Sequence, residues 1–300
     1  MRSARMRSAR LRSVLVLSAL LSLAACTSAA APVSQPAIPV APTSLPVSTS
    51  AAPVKGTLLW SDDFGGAAGS APDPSKWSQQ VGGGGWGNQE LECYTDSRQN
   101  SALDGNGHLV ITAVRDPGHR CADGNVDEYT SARLTTQYHF SARYGRIEMY
   151  AQVPTAPGAW PALWSMGTDL PQVNWPEAGE IDVAEVGGNL PTTIHGTVHG
   201  PATAGGPQAV TRTHDTGANL STGFHRFAVD WSPDSLTWDI DGEPYGTVSR
   251  GDVEANGRWV FSHPFFLLLN LAVGGTFPGA PGSQSDWPQQ LVVDYVRVYA

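Results

Sequence analysis

Three acids crowd one short stretch of the sequence, Glu180-Ile-Asp182-Val-Ala-Glu185, with Trp175-Pro-Glu upstream and Val186-Gly-Gly188 downstream. Two carboxyl groups flanking an acetal can carry out a double displacement: one attacks as nucleophile, and the other, kept protonated, donates to the leaving oxygen. A third acid between them can hydrogen-bond to the nucleophile. Its negative charge also raises the pKa of the group that must hold its proton. Like charges on one short strand repel and cost stability, so a purely structural role is a poor reading. The alternative is a solvent-facing acidic stripe, which the flanking Trp175, Ile181 and Val183 argue against.

Strand geometry decides whether the three acids can converge. Successive side chains alternate faces, so Glu180 and Asp182 share one face while Ile181 and Val183 take the other. Regular alternation would put Ala184, not Glu185, beside the acids. One bulge residue after Asp182 restores Glu185 to their side, and bulges concentrate at active sites. The strand alone does not set the carboxyl spacing; curvature and converging side chains must. His195 and His199 stand four apart, a chelating spacing on a helix. Ile194-His-Gly-Thr-Val-His-Gly200 reads as a strand, where four residues span about 13 Å, so the two do not point to a shared metal.

The elements that must position these residues are short and β-rich. Of 300 residues only 15% are charged, against 33 glycines, 23 prolines and ten tryptophans, which disfavours coiled coils and long solvated helices. Apolar or alternating runs at 108–113, 145–153, 181–186, 224–231, 236–240, 265–271 and 291–298 are separated by Gly, Pro, Asp and Asn. Ile240-Asp-Gly-Glu243 carries the Asp-Gly pair of a two-residue hairpin. No segment sustains a 3.6-residue apolar stripe, and the pattern predicts an all-β sandwich or barrel without helices. No internal repeat supports a solenoid or propeller.

The amino terminus reads as processing signal. Arg2, Arg5, Arg7, Arg10 and Arg12 precede an uncharged apolar core from Ser13 to Ala25, the form of a secretory signal peptide over residues 1–25. Leu23-Ala24-Ala25-Cys26 resembles the bacterial lipobox, which makes Cys26 the expected lipidation site and the only route to a membrane. The alternative is ordinary cleavage near Ala30. Residues 26–55 follow as a Pro/Ala/Ser/Thr linker, with six prolines and no charge between Thr27 and Val54, and this stretch reads as a tether. Lipidating Cys26 leaves Cys93 and Cys121 as an even pair for a disulfide in an oxidising compartment. Their loop of about 28 residues is worth roughly 3–4 kcal/mol by chain entropy. The formal charge of −9 offers no basic footprint for nucleic acid. Removing the first 25 residues, with five arginines and no acid, takes it to −14, which favours a neutral partner.

At the acid motif the chain resembles glycoside hydrolase family 16, in its bulged, laminarinase-like branch, through the E-x-D-x-x-E pattern of Glu180-Ile-Asp-Val-Ala-Glu185. Trp86-Gly-Asn-Gln-Glu-Leu91, Tyr144-Gly-Arg-Ile-Glu148, Trp160-Pro-Ala-Leu-Trp164, Asn270-Leu-Ala-Val-Gly-Gly275 and Val293-Asp-Tyr-Val-Arg-Val298 resemble further landmarks, in family order. The resemblance covers nearly all of a catalytic domain over 56–300. It implies a jelly-roll β-sandwich of two antiparallel sheets, one of them concave and forming a glycan cleft. It implies an endo-β-1,3-glucanase acting on laminarin-type β-glucans. Mixed-linkage β-1,3-1,4-glucanase and a non-catalytic β-glucan-binding module are the alternatives. By position, Glu180 matches the nucleophile, Glu185 the acid/base and Asp182 the assisting carboxylate. Trp160, Trp164, Trp175, Asn88, Arg146 and His199 match substrate contacts, while His195 is expected to be structural. No cofactor is implied for catalysis. A structural calcium is implied through Asp63 and Asp294, although Asp63 stands where relatives often have Glu. The expected state is a monomer.

Overall fold

A computed structural model describes residues 56–283 and 286–300. The expected signal peptide, Cys26 and the expected linker to residue 55 lie outside the described residues. The short alternating runs form strands, in chain order β1 (Leu58–Asp62), β2 (Ser78–Gln80), β3 (Glu92–Tyr94), β4 (Ser101–Leu103), β5 (Leu109–Arg120) and β6 (Val126–Ser131). Next come β7 (Arg133–Thr135), β8 (Gly145–Gln152), β9 (Ala159–Gly167), α1 (Leu170–Val173), β10 (Glu180–Glu185), β11 (Thr193–Pro201) and β12 (Pro207–Asp215). The chain ends with β13 (His225–Trp231), β14 (Ser235–Ile240), β15 (Glu243–Ser249), α2 (Arg250–Glu254), β16 (Phe265–Val273) and β17 (Gln289–Tyr299). The two short helices depart from the helix-free expectation. Each is a single turn or little more, too short to leave an apolar stripe in the sequence.

Two sheets result. One runs β12-β11-β10-β9-β16-β7-β2; the other runs β15-β14-β13-β8-β17-β5-β6-β3, with β1 beside β17 and β4 beside β5. All pairs are antiparallel except β3 with β6. Ile181, Val183, Ile194, Val198, Leu267 and Leu269 from the first sheet bury against Ile147, Met149, Phe227, Val229 and Leu236 from the second. Leu291 and Val293 are buried, then Val296 and Val298; the register of β17 against β8 shifts between Val293 and Tyr295. One extra residue there reverses the phase of alternation, so both halves of the strand still face the core. Asp241 and Gly242 both take positive φ, 54° and 90°, and close the β14–β15 hairpin as the Asp-Gly pair requires. Cys93 and Cys121 form the disulfide expected of them, with Cα atoms 5.4 Å apart.

One contact through the core ties the second sheet to the acid strand. Trp238 on β14 is fully buried, and its indole Nε1 donates to the Asp182 carbonyl on β10 at 2.8 Å. Room for that indole comes from Gly196 on β11, where a Cβ would lie 2.4 Å from Trp238 Cδ1 and 2.5 Å from its Nε1. A fully buried indole has nowhere to retreat. Gly196→Ala should therefore destabilise the domain by about 1–3 kcal/mol and lower activity with it, read by thermal unfolding and turnover on one preparation. An unshifted melting temperature would contradict this account of the core.

Candidate active site

The acid strand is bulged where alternation demands it. Against β9, Asp182 pairs with Trp164 but Ala184 pairs with Leu163, so Val183 is the extra residue. Val183 and Ala184 both bury in the core, and Glu185 returns to the outer face. Cross-strand neighbours fix the surroundings of each acid. Glu180 lies opposite Met166 and His199, Asp182 opposite Trp164 and Thr197, and Glu185 opposite Ala162 and His195. Directly paired residues share a face, so β9, β10 and β11 present one continuous patch.

Each glutamate accepts a hydrogen bond from an indole of its own. Trp175 Nε1 donates to Glu180 Oε2 at 2.7 Å, and Trp160 Nε1 donates to Glu185 Oε1 at 3.0 Å. Between them, Asp182 Oδ2 lies 3.1 Å from His199 Nε2. Trp164 Nε1 donates to Asn270 Oδ1 at 2.7 Å, and Asn270 Nδ2 in turn donates to Tyr94 Oη at 3.0 Å. The chain continues with Tyr94 Oη donating to Glu90 Oε2 at 3.2 Å and Asn88 Nδ2 donating to Glu90 Oε1 at 2.9 Å. Asn88 is thereby fixed at the rim of the same patch by its own loop.

Burial and mutual repulsion govern the charges. Burial, then the Asp182 charge, pushes Glu180 up to about 8. Burial followed by the charges of Asp182 and Glu180 lifts Glu185 well above the usual carboxylate range. Burial works against a charged His199, yet its hydrogen bond to Asp182 and the surrounding carboxylates outweigh that and raise it to about 9. The site therefore holds one imidazolium paired with Asp182, and it retains protons on the glutamates. Glu185 feels the charges of both other acids, Glu180 that of Asp182. The pull toward ionisation is of the same kind at both: His199 together with an indole N–H, from Trp175 at Glu180 and from Trp160 at Glu185.

Of the residues singled out in the sequence, Glu180, Asp182, Glu185, Trp160, Trp164, Trp175 and His199 converge on this patch, with Asn88 at its rim. His195 shares the face with Glu185 opposite it but is only 9% exposed, its ring edge-on to Phe277 at 4.9 Å and its pKa lowered by burial. Arg146 does not reach the site. It lies on β8 in the opposite sheet, where its guanidinium bonds Asp239 at 2.5 and 3.1 Å and Glu148 at 2.9 Å. The calcium pair is not assembled either. Asp63 Oδ1 accepts hydrogen bonds from Arg297 at 2.6 and 3.1 Å, while Asp294 lies 3.8 Å from His108. Calcium needs six to eight oxygens; here a guanidinium already supplies the positive charge at Asp63, so these residues do not fit the ion.

The arginine that does serve the site is Arg133 on β7. Its guanidinium lies between two indoles, 4.7 Å from the Trp86 ring centroid and 4.6 Å from that of Trp164. Asn270 and Glu90 fall in landmark stretches of the sequence that gave them no role, while Arg133, Tyr94 and Phe277, whose ring packs 5.2 Å from Trp160, were not singled out from the sequence. A lone arginine in the otherwise apolar run Ala132-Arg-Leu134 was the available signal. Among the described residues, two sets of ligand-type atoms converge within 4.8 Å. One is the disulfide pair with Asp127, whose sulfurs are spent on each other. The other is Glu180, Asp182 and His199, where His199 Nε2 already stands 3.1 Å from Asp182 Oδ2.

The family model for glycosyl hydrolases family 16 matches residues 89–297. A β-glucanase of Rhodothermus marinus is 41% identical over 253 residues, covering 81% of this chain and 84% of that protein. A glucan endo-1,3-β-glucosidase of Cryptopygus antarcticus is 40% identical, covering 80% and 90%. The crystal structure of an endo-β-1,3-glucanase from Pyrococcus furiosus superposes with a TM-score of 0.75 at 39% identity, over 81% of this chain and 94% of that one.

Three groups of the site bind protons more tightly folded than unfolded, which gives stability a definite slope with pH. His199 is raised from 6.5 to about 9, so its contribution is complete below pH 6.5 and is lost as pH rises through 9. Glu180, raised to about 8, and Glu185 have the same sign, because their neutral forms are favoured in the fold. The melting temperature should therefore fall between pH 6 and pH 9, with roughly 3 kcal/mol as the upper bound for His199 alone. Calorimetry across that window checks this, and His199→Gln and Glu180→Gln should each flatten the slope. A melting temperature that holds or rises would show that these protons are not retained.

Proposed function

The chain belongs to the glycosyl hydrolases family 16, and from that premise we propose how it hydrolyses laminarin-type β-1,3-glucans: as a retaining endo-glucanase whose double displacement runs on Glu180 and Glu185. One observation carries this reading. A single bulge brings three acids to one face, where burial and the Asp182 charge raise the proton affinity of both flanking glutamates. Ionised Glu180 attacks the anomeric carbon while Glu185 donates its proton to the departing glycosidic oxygen, giving a covalent glycosyl ester. Glu185, now a carboxylate, takes a proton from water, which cleaves the ester and returns the original β configuration. Asp182, 3.1 Å from His199, raises the proton affinity of both glutamates by its charge. Trp160, Trp164 and Trp175 offer flat apolar rings to sugar faces, and Arg133, stacked between Trp164 and Trp86, braces the patch.

A β-glucan-binding module without catalysis would have no use for a protonated acid set against an ionisable one, so the intact acids favour the enzyme over the lectin. The machinery lies on one strand of one chain, which supports action as a monomer. The reading extends to location: secretion followed by lipid anchoring at Cys26. It is supported by Leu23-Ala24-Ala25-Cys26 at the end of an apolar core and by the uncharged proline-rich tether behind it. Two or more acyl chains make a stable anchor, where one does not.

Glu180→Gln keeps the side-chain volume but replaces the carboxylate by a very poor nucleophile. It should cut reducing-sugar release from laminarin by on the order of 10³-fold or more with an unchanged circular dichroism spectrum; a variant retaining several per cent of the activity would remove Glu180 from the mechanism. Product analysis on laminarin, barley β-glucan and agarose in parallel assigns the linkage. Cys26→Ser should shift the protein from the detergent-soluble membrane fraction into the medium, or leave it as precursor, with kcat and KM unaltered. Wild-type protein found in the medium with an amino terminus beyond Cys26 would refute the anchor.

A further inference from the structure

Arg258 and His263 lie on the segment between α2 and β16, outside the catalytic patch, and the chemistry above makes no use of them. Each faces an acid on the 168–178 loop, which leaves β9 and returns to β10 just before Glu180. Near its departure, Asp169 Oδ1 lies 3.0 Å from His263 Nε2; near its return, Glu177 is ion-paired with Arg258. The backbone closes the base of the loop. Gly167 N–H donates to the Gly179 carbonyl at 3.2 Å, and Thr168 N–H to the Pro264 carbonyl at 3.0 Å. A Cβ at Gly167 would stand 2.1 Å from the Ala178 carbonyl oxygen, 2.4 Å from His263 Nε2 and 2.9 Å from Asp169 Oδ1. Only a residue without a side chain lets those groups meet. At Gly179 a Cβ would press on Val260 and Phe265 at 2.9 and 3.1 Å. Both ends of the loop are thus fastened to the 256–264 segment.

What the loop carries between these two pins is Trp175. Its indole N–H bonds the attacking carboxylate of Glu180 at 2.7 Å, and its ring lies 6.3 Å from the His199 ring. Trp175 is 43% exposed, and the α1 turn before it buries no residue fully, resting on the body through Leu170 against Met166, Phe266 and Leu268 at the start of the loop. The position of the indole follows from where the loop ends are held.

We propose that Arg258, together with His263, is a positioning residue for the nucleophile: through Glu177 and Asp169 the two hold the 168–178 loop so that Trp175 keeps its N–H on Glu180. The proposal rests on the glucanase reading and extends it to residues that touch neither substrate nor acid. Exposed ion pairs add little to stability, so losing one leaves the domain folded. The loss falls on the geometry of a single hydrogen bond, and that bond favours the ionised nucleophile.

The test is a double-mutant cycle on laminarin hydrolysis, with Arg258→Ala, Arg258→Lys, Trp175→Phe and the double variant Arg258→Ala/Trp175→Phe. Arg258→Ala should lower kcat/KM by about two- to fivefold, mainly through kcat, and move the acidic limb of the pH profile to higher pH. The other charged neighbours of Glu180, namely Asp182, Glu185, His199 and Arg133, are unchanged in every variant, so the movement reports on Trp175. Arg258→Lys should restore most of the loss. In the Trp175→Phe background, Arg258→Ala should add nothing. The Trp175 indole proton resonance, assigned by its absence from Trp175→Phe, should move upfield in Arg258→Ala as its hydrogen bond lengthens. An unmoved resonance and acidic limb, or effects that multiply in the double variant, would overturn the proposal. If wild-type protein releases nothing from laminarin, the glucanase reading falls, and the indole resonance still decides the positioning.

Discussion

Everything at the catalytic patch depends on one extra residue in β10. Without Val183 as a bulge, strict alternation would drive Glu185 into the core and leave Glu180 and Asp182 without their counterpart. A bulge disturbs the ladder and leaves local backbone groups to be satisfied elsewhere. Here the Asp182 carbonyl is met by an indole from the opposite sheet, Trp238, which fits only because Gly196 has no side chain. The local irregularity that makes the chemistry possible is therefore stabilised by the packing of the whole sandwich, and a core glycine and tryptophan become catalytic constraints at one remove.

The same arrangement explains how three acids are tolerated together. Their repulsion is not cancelled; it is met by retained protons and one imidazolium. Burial raises the proton affinity of both glutamates, Asp182 raises it further, and His199 answers the Asp182 charge. This costs stability as pH rises, and the large apolar interface between the sheets carries that cost. An acidic stripe facing water would show the opposite behaviour, ionised throughout and indifferent to its neighbours.

The acids were legible in the sequence because their relation is local. Alternation over six residues, with one interruption, is a rule of strand geometry that needs no tertiary information. The disulfide and the Asp-Gly hairpin were legible for similar reasons. Arg146 and Arg133 show where legibility stops. Both sit in short alternating runs, and nothing in either run says which sheet the strand joins. Arg146 lies on β8 between β13 and β17, and its partner Asp239 is 93 residues away; Arg133 meets Trp86 and Trp164 from two other parts of the chain. Asp63 matched a metal ligand by position, but its partner Arg297 comes from the last strand, 234 residues on. Short-range pattern gives residue type and face; long-range pairing gives the partner, and partners decide what a charged side chain does.

The two glutamates are held by the same kind of donor, an indole N–H, yet on different supports. Trp160, which bonds Glu185, belongs to β9 and is held opposite Ala272 in the ladder with β16. Trp175, which bonds Glu180, belongs to a loop and stands nearly half exposed. The acid/base must shed and regain a proton at one fixed place in both halves of the reaction, which suits a rigid strand. The nucleophile must accept a sugar, become an ester and be released, which suits a donor whose support can give slightly. The difference in support follows the difference in chemical demand, and it makes the ends of the 168–178 loop the natural place for the fold to adjust the nucleophile without touching the acid strand itself.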